Sequence, residues 1–254
     1  MNCNVPTDIV FSFEGFCQRG GRTDHHSDGW GIAFFEDKGV RLFVDYQASA
    51  DSHLATFIRQ YPIKSMNVIS HIRKATQGEV SLANTHPFRR ELWGHYWIFA
   101  HNGNLENLPP LASTARFQPV GSTDSEKAFC WLMNQLAQKF PTRPDHQTLF
   151  DTLNRLLEEI AQYGPFNILL SDGNMMLARC ATDLFYIIRQ TPFARAHLID
   201  EEISVDFGSV TSQKDRVAII ATQPLTSNER WIKMRAKDTL LFVDGAPLFS
   251  ASGA

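Results

Sequence analysis

Two amphipathic helical segments, residues 125–139 and 148–162, follow one another across a short proline-containing connection, and runs of short strands lie on either side of them. On the second segment Leu149, Leu153, Leu156, Leu157 and Ile160 share one face, the spacing of a helix packed on a core. Segments rich in β-branched and aromatic residues, each bounded by turn formers, predict strands at 31–35, 40–46, 67–72 and 96–101 before the helix pair. After it they predict strands at 166–171, 175–180, 184–189, 217–222 and 240–243. Helical spacing also covers 6–18, opened by Pro6, Thr7 and Asp8, and 52–60. Adjacent helices and hairpin-like strand runs exclude the strict alternation of a doubly wound sheet. The order calls for two stacked, mainly antiparallel sheets covered by helices, and no repeat or linker divides residues 1–254 into more than one domain.

Charge narrows the partners. Lys and Arg total 24 against 27 for Asp and Glu, a net charge of -3, so nucleic acid and anionic membrane surfaces are not expected as partners. The longest apolar runs are strand-length, short of the roughly 20 residues of a membrane-spanning helix. The opening MNCNVPTD has no basic patch followed by an apolar stretch, and the four cysteines are not clustered. Together these predict a reducing, cytoplasmic compartment.

Polar residues gather at strand ends. Arg73 closes an apolar strand, where a guanidinium meets either a ligand carboxylate or a structural Asp or Glu. Asn102-Gly103 follows the strand YWIFAH; as a dipeptide it signals a tight hairpin turn, and as a pair of donors it could stabilise an oxyanion. Thr123-Asp124-Ser125-Glu126 stands before a helix, which makes it an N-cap first and a carboxylate facing a ligand ammonium group second. Asp24-His25-His26 lacks the spacing of a metal site and reads as a solvated loop. No metal or cofactor is expected.

Taken together, RGG near residue 20, DGWGIAF, HIRKAT, NTHPF, FAHNG, TDSE and ATQPLTSNERW resemble the class II glutamine amidotransferases, which are N-terminal-nucleophile (Ntn) amidohydrolases, over nearly the whole chain. The likeness is to the stand-alone type without a synthetase domain. It implies an α+β fold, a four-layer αββα sandwich of two mainly antiparallel sheets. It also implies cleavage of the side-chain amide of glutamine, or of a γ-glutamyl compound, through a cysteine acyl-enzyme, with the ammonia released to solvent or passed to an accepting partner protein. The resemblance assigns Asn102 and Gly103 to the oxyanion hole, Arg73 with Thr76 to the substrate α-carboxylate and Asp124 to its α-ammonium group. Asp28 and Gly29 would lie beside the pocket, with His86 as a wall or loop-positioning residue.

The family's nucleophile is an N-terminal cysteine freed by removal of the initiator Met, and its own α-amine is the base. Here Met1 and Asn2 precede the first cysteine, Cys3, and only five residues lead into the helix expected from Pro6. The sequence therefore predicts a start at an internal Met, a truncated first strand and a nucleophile upstream of Met1, with Cys3 as the in-chain candidate. A catalytically inactive protein that keeps an amino-acid or γ-glutamyl pocket is the alternative.

Overall fold

The structure is a computed structural model describing residues 1–75 and 78–253. The chain runs β1 (Asn2–Thr7), α1 (Val10–Gln18), β2 (Trp30–Glu36), β3 (Gly39–Asp45), α2 (His53–Gln60), β4 (Ser65–Ile72), β5 (Phe88–Leu92), β6 (His95–Gly103), α3 (Asp124–Lys139) and α4 (His146–Ala161). It continues through β7 (Phe166–Ser171), β8 (Met176–Arg179), β9 (Phe185–Gln190), β10 (Arg195–His197), β11 (Ser204–Asp206), α5 (Phe207–Val210), β12 (Arg216–Ala221), β13 (Ile232–Lys233), β14 (Thr239–Val243) and β15 (Ala246–Ala251). Two large sheets result, ordered β13-β9-β12-β1-β4-β2-β3 and β15-β14-β8-β7-β6-β5, with β10 and β11 as a separate hairpin. Their pairings are antiparallel.

Strand periodicity explains the layers. Successive side chains of β2 point to opposite faces: Ile32 and Phe34 pack with Phe13 of α1 and Ile58 of α2, while Ala33 and Phe35 pack between the sheets with Ile69, Ala100, Ala178 and Phe242. Both faces are buried, so β2 reads as an unbroken apolar run. On the far side α3 and α4 cover the second sheet, where Phe129, Leu132, Leu153 and Leu157 meet Phe99, Ile168 and Leu170. The fold is thus α+β with two antiparallel sheets and helices on both outer faces, as the resemblance implied. No helix among the described residues is long and apolar enough to cross a membrane.

Two local expectations change. Residues 2–7 are not a lead-in to a helix: they form β1 inside the first sheet, with Asn2 opposite both Ala218 and Asn67, and α1 begins at Val10. Pro6 reads as a helix opener, but its missing N–H is equally tolerated here, where the β1–β4 register is interrupted between Asn2 and Thr7. Nor does Asn102-Gly103 close a hairpin. Both residues are the last of β6 and pair with Asn167 and Phe166 of β7, so the long-range ladder overrides the dipeptide's turn preference.

Candidate functional site

At one end of the sandwich the two sheets leave a cavity of about 310 Å³ lined by Arg73, His86, His101, Asn102, Gly103 and Asp124, among others. Its walls have different origins. Arg73 follows β4 of the first sheet, Asn102 and Gly103 end β6 of the second, and Asp124 opens α3, which packs on the second sheet.

Arg73 is almost fully buried. Its backbone is paired with the DGWG segment: Arg73 N–H donates to Gly29 O at 2.7 Å, and Asp28 N–H donates to Arg73 O at 3.1 Å. Nη2 donates to Gly78 O at 3.2 Å. Burial lowers the guanidinium's pKa from its ordinary value, and the Asp28 carboxylate opposes that shift. Asp28 in turn accepts the Ala75 N–H at 2.8 Å. Gly29 has φ +112, and a Cβ there would lie 2.9 Å from Asp45 O, so this close pairing requires glycine. Asp28 and Gly29 therefore shape the arm that carries Arg73. Thr76 lies outside the described residues.

Asp124 is the first residue of α3, behind the N-cap Thr123, whose side chain accepts the Glu126 N–H. A carboxylate here faces the positive end of the helix. Its Oδ2 accepts the Leu105 N–H at 2.7 Å, which ties α3 to the chain just beyond Gly103. Glu126 does not complete a reciprocal capping box. Its carboxylate accepts from the Val120 and Gly121 N–H groups and from Arg90.

Asn102 presents an exposed side chain to the cavity, while its carbonyl accepts from Asn167 Nδ2 at 3.0 Å. A Cβ on Gly103 would fall 1.9 Å from Pro165 O and 2.6 Å from His101 Nε2, so only glycine permits this approach. The His101 ring sits behind them. Nε2 donates to Pro165 O at 3.1 Å, which leaves Nδ1 to accept from the Ser125 hydroxyl at 2.8 Å.

His86 is a buried wall of the same cavity. Its ring centroid lies 4.3 Å from that of His71 and 4.4 Å from that of Phe88, and neither ring nitrogen has a hydrogen-bond partner among the described residues. Burial lowers the pKa of all three imidazoles: His71 to about 3, His86 well below the ordinary value, and His101 in the same direction. They line the site as neutral rings.

A second cavity, of about 690 Å³, meets the first at His26, His71, Ile72 and Asn102. It runs between the sheets past Ala100, Ile168 and Leu169 and along Val68, Ile219 and Ala221, reaching Met1. The candidate thiol Cys3 lines neither cavity. Its Sγ lies 3.3 Å from the carbonyls of Ser65 and Met66 in the core under α1, and burial raises its pKa. Cys17, Cys130 and Cys180 are also buried and free, and line neither cavity. In the Asp24–His26 loop, His26 Nδ1 pairs with the Asp24 carboxylate at 2.9 Å.

The structure thus brings together Arg73, His86, Asn102, Gly103 and Asp124, sets Asp28 and Gly29 behind Arg73, and leaves Cys3 apart. Sequence reading names His71, His101 and Ser125 only as members of the polar segments around Arg73, Asn102 and Asp124, and gives them no role of their own. Their signal was a polar residue inside an apolar strand or at a helix start, within motifs already noted.

Known proteins resemble this chain in sequence and in fold. The sequence profile of the class-II glutamine amidotransferases matches residues 1–253. A Haemophilus influenzae protein named "Putative glutamine amidotransferase" is 52% identical over 254 residues, which is 100% of this chain and 86% of that protein. A Pseudomonas aeruginosa crystal structure described as a predicted glutamine amidotransferase superposes with TM-score 0.78 at 43% identity, covering 98% of this chain and 97% of that one. The Bacillus subtilis glutamine phosphoribosylpyrophosphate amidotransferase shares the fold alone, with TM-score 0.56 at 15% identity, over 96% of this chain and 45% of that one.

Proposed function

The chain belongs to the class-II glutamine amidotransferase family, and from that premise we propose that its site binds glutamine or a γ-glutamyl compound and cleaves the side-chain amide through a cysteine acyl-enzyme. The observation that carries this reading is the convergence of Arg73, Asp124 and Asn102-Gly103 on one cavity. A planar cation suits an α-carboxylate, an anion suits an α-ammonium group, and neutral donors suit an oxyanion that develops only during attack. Thr76 joins Arg73 in this reading, and His86 walls the pocket.

The thiol is assigned to an extended segment in line with β1. Asn2 pairs with Asn67 and Ala218, and the Met1 nitrogen donates to Val68 O at 2.8 Å. Beyond that point β4 continues to Ile72 and β12 to Ala221, flanking the larger cavity that leads to Asn102. At about 3.3 Å per residue, a strand of about four residues spans that length. A cysteine at its start lies beside Asn102, and its own α-amine, with an ordinary pKa of about 7.7–8.0, serves as base. The thiolate attacks the amide carbon, the oxyanion rests on Asn102-Gly103, and the nitrogen leaves as ammonia with the proton held by the amine. Water then cleaves the thioester to give glutamate and free thiol. The ammonia is released to solvent or passed to a partner protein. Four free thiols support a reducing, cytoplasmic setting.

A second reading, an amino-acid-binding protein without catalysis, is favoured by the distance of all four cysteines from the site. Ammonia release separates the two. The 254-residue chain should bind glutamine weakly and release none, a chain extended by an in-register segment beginning with cysteine should release it, and changing that cysteine to Ala should stop release. Failure of every such extension supports the binding protein. Hydrolysis by the 254-residue chain that disappears in Cys3→Ala makes Cys3 the nucleophile and overturns the strand assignment.

A further inference from the structure

We propose that Asn84 is a positioning residue that sets the spacing between the two charged arms of the amino-acid site; this rests on the reading of Arg73 and Asp124 given above. Asn84 does not line the cavity and is 4% exposed. Its amide is spent on both arms. Toward the Arg73 arm, Nδ2 donates to Glu79 O at 3.0 Å, next to the Gly78 carbonyl that accepts from Arg73. Toward the Asp124 arm, Oδ1 accepts the Ser122 N–H at 2.8 Å and Nδ2 donates to Ser122 Oγ at 3.2 Å, two residues before Asp124. The contact is close as well as bonded: a Cβ on Gly121 would fall 2.2 Å from Asn84 Oδ1 and 2.5 Å from Ala83 O. From the other side Glu126 accepts the Val120 and Gly121 N–H groups, so residues 120–122 are held by side chains on two fronts.

The geometry has a chemical reason. One arm follows β4 of the first sheet and the other opens α3, which packs on the second sheet, and an α-amino acid presents its carboxylate and ammonium on one carbon at a fixed separation. A clamp for both groups gains from preorganised spacing, whereas a ligand with only one of them does not.

Calorimetric titration of the 254-residue chain with glutamine, with 4-carbamoylbutanoate (no α-amine) and with 4-aminobutanamide (no α-carboxylate) tests this. Asn84→Ala should weaken glutamine about tenfold, the scale of a lost preorganised contact, and leave the two one-armed analogues as in the unmodified protein. Gly121→Ala, which wedges the arms apart while keeping the Asn84 amide, should do the same, and it serves if Asn84→Ala does not fold. Unchanged glutamine binding, or equal weakening of all three ligands, overturns the role of Asn84. Absence of glutamine binding to the unmodified chain, or indifference to Arg73→Lys and Asp124→Asn, defeats the functional reading and this inference with it.

Discussion

The carboxylate of Asp124 accepts the backbone N–H of Leu105 at 2.7 Å, so the residue assigned to the substrate ammonium also pins the chain just past Gly103. Charge and hydrogen bonding at this position can be separated. Asp124→Asn keeps an acceptor for Leu105 and loses the charge; it should weaken glutamine by about 2–4 kcal/mol, or about 30- to 1000-fold, with little change in Tm. Asp124→Leu loses both and should lower Tm as well. Arg73→Lys should weaken glutamine to a similar degree, because a point charge does not reproduce the planar fork. Titration calorimetry with thermal melts of the three variants checks all of this, and equal glutamine-induced shifts in every protein would sink the clamp.

Asn102 has its side chain in the cavity and its backbone in the β6–β7 ladder. In a catalytically active, extended form, Asn102→Ala should therefore lower kcat by about 10²–10³ with KM nearly unchanged, since the donor acts on charge present only in the transition state. Steady-state ammonia release measures it. Retained kcat with a lowered Tm would show a purely structural residue.

His71, His86 and His101 make stability depend on pH with a definite sign. Their folded pKa values are depressed, His71 to about 3. Above about pH 6.5 both folded and unfolded chains hold them neutral and nothing is lost. Below it the unfolded chain takes up protons that the folded chain refuses, so stability falls, by about 1.4 kcal/mol per pH unit for His71 down to about pH 3, and His86 and His101 act in the same direction. Urea midpoints should drop steadily from pH 6.5 to 4.5. His86→Phe removes one of these protons and should flatten the slope; an unchanged slope would show that carboxylates, not imidazoles, control acid unfolding.

The reactivity of the cysteines offers a direct check on the site. All four are buried, and burial raises every one of their pKa values, that of Cys17 to about 12. An electrophilic glutamine analogue should leave the native 254-residue chain unlabelled, and iodoacetamide should modify all four thiols only after denaturation. Intact mass distinguishes these outcomes, and native labelling of Cys3 would place it in the reaction after all.

Much of this was legible in the sequence because strong periodicity survives tertiary context. The helix pair became α3 and α4, and the apolar runs at 31–35 and 166–171 became β2 and β7 within a residue of their expected ends. What escaped depends on distant partners. β1 is a strand only because β4 and β12 lie on either side of it, and nothing in MNCNVPT announces them. Asn102-Gly103 is extended only because β7 pairs with it. Arg73, Asn102 and Asp124 were legible as strand-end and helix-start polar residues, while Asn84 was hidden within NTHPF because its work lies in contacts with Glu79 and Ser122, on separate loops.

The cavity is a seam between two halves of the molecule, with Arg73 borne by one sheet and Asp124 by a helix packed on the other. A ligand held at both ends bridges that seam. Its binding free energy then opposes separation of the sheets, adding RT ln(1 + [L]/Kd) to the resistance of the Ile69, Ala100 and Ala178 layer to opening. Amide exchange in β4 and β6 should slow together when the site is filled, because occupancy fastens the two halves to each other as a rivet fastens two plates.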